Sequence, residues 1–217
     1  MSFVTLVRHG QANTHARDEA SYDQLSDLGR QQARWLGDHL RATGEVFARA
    51  YCGTLERHVE TAREMALDLE VVRDPRLNEL EYFTMAQLLE TQHGVAMPVD
   101  REAFVLHLPR VFSYWREDRL EGAPETFADF EARVRDVLAE IAAGEGRAIA
   151  ITSGGLIGMA MRVTMGLEMQ ALAHACIAVE NSSLHRFQPL PTGLALTLFN
   201  AVPHLESPDR ALMRTHL

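Results

Sequence analysis

A chain of 217 residues with 47% hydrophobic content can bury a large core, and nothing in that length demands a second domain. Its formal net charge of −9 disfavours partners held by bulk positive charge, so neither nucleic acid nor an anionic membrane surface is expected. The 21 basic residues are all arginine, which excludes Schiff-base lysine chemistry and a Walker-type phosphate loop.

Residues 3–7 form a short apolar, β-rich run of the kind that fills the interior of a parallel sheet, and Arg8-His9-Gly10-Gln11 follows it directly. Ser26-Asp27-Leu28-Gly29 leads into a helix over 30–41, where Ala33, Leu36, Gly37 and Leu40 recur at helical spacing. Residues 46–52 read as a second strand, 55–69 as a helix, and Val71-Val72 as a short extended piece. A less regular helical excursion covers about 83–124, carrying Met85, Leu88, Phe104, Phe112 and Trp115. An amphipathic helix spans 126–143, a buried strand 148–152, and Gly154-Gly155 opens a helix running to about 165. Strands are expected near 177–187 and 194–202. Strands alternating with helices predict an α/β fold, a three-layer sandwich whose ligands bind at the C-terminal ends of its strands.

The two cysteines, Cys52 and Cys176, lie far apart without metal or redox spacing, and no basic leader or apolar span of membrane length is visible, so a soluble cytoplasmic protein is expected. No internal repeat, low-complexity tract or Pro/Gly-rich linker appears, so residues 1–217 are read as one domain.

Arg8 and His9 at a strand end combine a guanidinium fork suited to an oxyanion with an imidazole that is nucleophilic near neutral pH, a pairing that suggests phosphoryl transfer through histidine. Other loops after predicted strands carry Arg57 in the first turn of a helix, Glu79 with Glu81 close by, and Ser153-Gly154-Gly155. Free backbone N–H groups at such a helix start form an anion site. Arg57 could instead pair with Glu56 or Glu60, and Ser153 reads as a helix N-cap that also touches ligand.

Taken in order, Arg8-His9-Gly10-Gln11, Leu25-Ser26-Asp27-Leu28-Gly29, Leu55-Glu56-Arg57 with Thr61-Ala62, Glu79, the strand into Gly154-Gly155, and Asn181-Ser182-Ser183 resemble the histidine phosphatase superfamily, which includes the phosphoglycerate mutases. The resemblance covers nearly the whole chain and implies a phosphoglycerate mutase-like α/β/α sandwich with a mostly parallel central sheet. It implies His9 as nucleophile, Glu79 as general acid, and Arg8 and Arg57 as phosphate-binding residues, with no metal and no cofactor, while Ser153 and Gly154 are read as phosphate-binding from their place at a helix start. Ser153 stands where the family's pattern carries a second histidine. A hydroxyl in that place forfeits about 1.5 to 3 kcal/mol of charged hydrogen bonding, or about one to two decades in rate if the loss falls on the transition state. His15 and His58 are the auxiliary candidates to supply a donor.

The implied activity is metal-independent hydrolysis of a small phosphorylated substrate through phosphohistidine. A catalytically weak phospho-ligand-binding protein is the alternative, and a true mutase is the third reading. A homodimer is compatible with the sequence, although no heptad pattern points to one.

Overall fold

The computed structural model describes residues 2–216. Its centre is a six-stranded sheet in the order β3-β2-β4-β1-β5-β6, built from β1 (Val4–Arg8), β2 (Arg49–Cys52), β3 (Val71–Arg73), β4 (Ala148–Thr152), β5 (Leu184–Leu190) and β6 (Gly193–Ala201). The first four strands pair in parallel and the last two antiparallel, with Arg8 opposite Thr152 at the C-terminal ends of β1 and β4.

Side chains alternate across the two inner strands, as a period of two requires. Val4, Leu6, Ala148 and Ala150 join the cluster on one face, whereas Val7, Ile149 and Ile151 join the cluster on the other. Both β1 and β4 are buried along their whole length, which explains why they read as unbroken apolar runs. Helices α2 (Asp27–Ala42) and α3 (Glu56–Met65) pack on the second face through Leu36, Leu40 and Met65. The first face carries α4 (Tyr82–His93), α5 (Arg101–Arg116), α6 (Phe127–Ala143), α7 (Gly154–Met165) and α8 (Met169–Ala178). The result is the α/β fold expected, with a mostly parallel sheet. Among the described residues no helix is long and apolar enough to cross a membrane.

Two features differ from the sequence reading. Ile177 lies in α8, and the strand expected near 177–187 begins only at Leu184. The run Ala175 to Val179 is apolar and short enough to suit either element, and packing of Leu172, Ala173 and Cys176 into the core selects the helix. A further short helix, α1 (Glu19–Tyr22), falls where no element was expected, closed by a capping box between Asp18 and Ser21.

Candidate active site

β1 ends by delivering Arg8 and His9 beside the end of β4, where the His9 N–H donates to the Thr152 carbonyl at 2.8 Å. His9 is 1% exposed. Its Nδ1 lies 2.7 Å from the Gly10 carbonyl, which can only accept, so Nδ1 carries the proton and Nε2 keeps its lone pair. Burial above all, then the charges of Arg57, Arg8 and His58, holds this imidazole well below its ordinary value of 6.5 and therefore neutral. A neutral ring with a free Nε2 is a nucleophile without further activation.

Gly10 allows a close approach to the chain's own backbone, since a Cβ there would lie 2.2 Å from the Gly29 carbonyl oxygen at the start of α2. Thr61 ties the same loop to α3, accepting from the Gly10 N–H at 3.1 Å while donating to the Arg57 carbonyl at 2.7 Å.

Arg57 lies in the first turn of α3, whose N-cap residue, Leu55, has no side-chain acceptor. Asp23, just after α1, supplies one: its carboxylate accepts from the N–H groups of Glu56 and Arg57 and pairs with the Arg57 guanidinium at 2.9 Å. That carboxylate offsets both the open helix end and the positive side chain placed there. Arg57 therefore pairs with neither Glu56 nor Glu60; Glu60 instead holds Arg30 and Arg63. Arg8 donates to the carbonyls of Val179 and His216. The Nε atoms of Arg8 and Arg57 are buried without a hydrogen-bond partner among the described residues. Two buried guanidiniums, each with an Nε–H donor to spare, beside a neutral imidazole form a site suited to an anion.

Both arginines and His9 border a cavity of about 460 Å³, together with Glu79, Gly154 and Gly155. Glu79 rests on the start of α7, accepting from the Gly155 N–H at 2.9 Å and from the Leu80 N–H at 3.0 Å. Glu81 is exposed and accepts from Thr84, and it faces a separate cavity of about 580 Å³ that Glu79 and Arg57 also border. Of the two neighbouring carboxylates, Glu79 is thus the one beside His9.

Ser153 holds the N-cap position of α7, but its hydroxyl makes no capping bond, contrary to expectation; it pairs with His58 Nε2 at 2.6 Å. His58 is buried beside His9, while His15 is exposed on the loop after β1 and does not line the cavity. Of the two auxiliary candidates only His58 is brought in.

Sequence reasoning missed Glu19, Tyr22 and Asp23, which close the site from α1. The Tyr22 ring stands edge-on to His9 and lies 5.0 Å from the Arg57 guanidinium carbon. Glu19 accepts from the Phe83 N–H at 2.7 Å, and burial raises its carboxyl above the ordinary value. The Asp18-x-x-Ser21 spacing was the available signal for this helix. The outer wall comes from α4, α5 and the segment between them, through Tyr82, Phe83, Met97, Pro98, Phe104 and Phe112.

The chain is similar to several known proteins. A 2,3-bisphosphoglycerate-dependent phosphoglycerate mutase from Rhizobium etli is 31% identical over 144 residues, 62% of this chain and 64% of the relative, so the chain spans under two thirds of that protein's length. A phosphoserine phosphatase mutant from Entamoeba histolytica, solved with phosphoserine, superposes with a TM-score of 0.71 at 17% identity, covering 94% of this chain and 100% of the other. A phosphoglycerate mutase from Bacillus anthracis superposes with a TM-score of 0.70 at 19% identity, covering 94% of each chain, and at such identities both likenesses speak to the fold. The family described as histidine phosphatase superfamily (branch 1) matches residues 4–202, and the chain belongs to it.

Proposed function

We propose that the protein is a metal-independent phosphomonoesterase working through phosphohistidine at His9. The observation that carries this reading is the floor of the cavity, where a neutral His9 with its Nε2 lone pair free stands between two buried guanidiniums that each hold an unpartnered Nε. His9 Nε2 attacks phosphorus and forms the N–P bond as the P–O bond to the alcohol breaks. Arg8 and Arg57 neutralise the charge on the transferring group, the part that magnesium plays in other phosphoryl-transfer sites. Glu79 gives its proton to the departing oxygen, then takes one from a water that attacks the phosphohistidine and releases inorganic phosphate, which restores His9.

The outer end of the cavity favours hydrolysis of an ester with an uncharged, partly apolar alcohol. Beyond the phosphate end, its basic side chain among the described residues is Arg101, which contacts His216, while Glu19 and Asp100 add negative charge and Phe83, Met97, Phe104 and Phe112 supply apolar surface. A mutase must hold the second anionic end of its substrate and intermediate, and this wall offers little to hold it. The binding-protein reading draws on Ser153, an uncharged residue where the family pattern has histidine.

The test is hydrolysis of p-nitrophenyl phosphate in EDTA by the wild type and His9→Ala. Turnover by the wild type that His9→Ala loses supports the esterase. No turnover by either, with phosphate still raising the wild-type melting temperature, supports the binding protein.

A further inference from the structure

Helix α3 brings to the site a second imidazole that the reaction above leaves unused. His58 is fully buried, its ring centroid 5.7 Å from that of His9 and tilted by 34°. Its Nε2 meets the Ser153 hydroxyl at 2.6 Å, a contact between residues 95 apart in the chain that joins the start of α3 to the start of α7. Space for the ring is made by Gly53, where a Cβ would lie 2.2 Å from His58 Nδ1. Nδ1 itself is buried without a partner among the described residues.

These contacts fix where the proton sits. Burial, reinforced by the Arg57 charge, keeps the ring neutral with a single N–H. Placed on Nδ1 that hydrogen would have no acceptor, whereas on Nε2 it has the Ser153 oxygen. Once Nε2–H donates to Ser153, the serine's own hydrogen points away from His58. Ser153 immediately precedes Gly154, which borders the cavity and faces the Arg8 guanidinium. Ser153 is fully buried, and His9 and Arg57 beside it are nearly so, at 1% and 2% exposed.

We propose that His58 is a positioning residue: its Nε2–H fixes the Ser153 hydroxyl as a donor to a phosphate oxygen held by Arg8 and Arg57, and its ring backs the His9 imidazole. This rests on the phosphohistidine reading of the same site.

The test is a double-mutant cycle on His58→Ala and Ser153→Ala, measuring kcat and KM for p-nitrophenyl phosphate and affinity for orthovanadate, with circular dichroism to check the fold. Each single variant is expected to lower kcat by about tenfold to a hundredfold, with the double variant no worse than the poorer single, because the two groups act as one unit. A merely structural histidine predicts losses that multiply. His58→Gln, whose amide N–H can still donate, is expected to recover most of the loss, and it carries the test with Ser153→Ala if His58→Ala fails to fold. A folded His58→Ala within twofold of wild-type kcat, or losses that multiply, overturns the proposal while leaving the esterase reading intact. If the wild type binds vanadate but turns nothing over, the esterase reading falls. The cycle is then read on vanadate affinity, where matched, non-multiplying losses sustain the pairing and unchanged affinity overturns it. A wild type with neither turnover nor vanadate binding overturns both.

Discussion

Gly155→Ala separates the proposed acid from the rest of the site. An alanine Cβ at 155 would sit 2.3 Å from Glu79 Oε1 and 2.8 Å from Leu80 Cδ2, both ends of side chains that can move. Restoring a contact of about 3.3 Å shifts the carboxylate by about 1 Å and takes it off the Gly155 N–H that holds it. Alanine within the first turn of a helix gains about 0.5–1 kcal/mol over glycine, which offsets much of the lost hydrogen bond, so the variant should remain folded. A 1 Å misplacement of a catalytic group costs on the order of a hundredfold, and general acid catalysis matters most where the alkoxide leaves reluctantly. The informative quantity is kcat/KM, which reports the step that forms phosphohistidine and excludes the later water attack. It should fall about a hundredfold for an alkyl phosphate and only a few-fold for p-nitrophenyl phosphate, whose leaving group needs little protonation. Equal losses across leaving groups, or no loss, would refute the assignment of Glu79.

Asp23→Asn keeps an oxygen to cap α3 but removes the charge that competes with phosphate for Arg57; inhibition constants for inorganic phosphate should tighten about fivefold, and weaker binding would contradict the competition. His9, His58, His185 and His204 are all lowered by burial first, the last two to about 3. The unfolded chain takes up protons near 6.5 and the fold does not, so stability should be full above that pH and decline below it by about 1.4 kcal/mol per unit for each such histidine. Urea midpoints at pH 7.5 and 5.5 check this, and a higher midpoint at pH 5.5 would reverse the sign. Gly37→Ala would drive a Cβ to 2.0 Å from the Met65 carbonyl oxygen, backbone that cannot yield cheaply, and should cost about 1–3 kcal/mol by thermal unfolding without altering KM.

Much of the architecture was legible because the buried strands are unbroken apolar runs: β1 and β4 have no alternation to misread, and each ends in a residue the site uses. Helix α6 was equally plain, with Phe130, Val134, Val137, Leu138 and Ile141 forming one buried stripe behind the Thr126 cap. The second strand proved shorter than its apolar content suggested, since Val46 is exposed and pairing begins at Arg49. Arg8, His9, Arg57, Glu79 and Gly154 could be found because each ends a strand, lies in a loop after one or opens a helix. Asp23 could not, because its partners are backbone N–H groups more than thirty residues away, and no local pattern encodes a cap borrowed from another element. The same holds for the pairing of His58 with Ser153: the two are neighbours only once β4 lies beside β2 and α3 has packed on the sheet.

The central claim is that phosphorus becomes bonded to His9, and a rapid quench shows it directly. Enzyme mixed with excess p-nitrophenyl phosphate, stopped within a turnover and digested under alkaline conditions, should yield a peptide containing His9 that carries an acid-labile phosphate, absent from His9→Ala. No such peptide from a wild type that is turning over, together with undiminished hydrolysis by His9→Ala, would contradict the account.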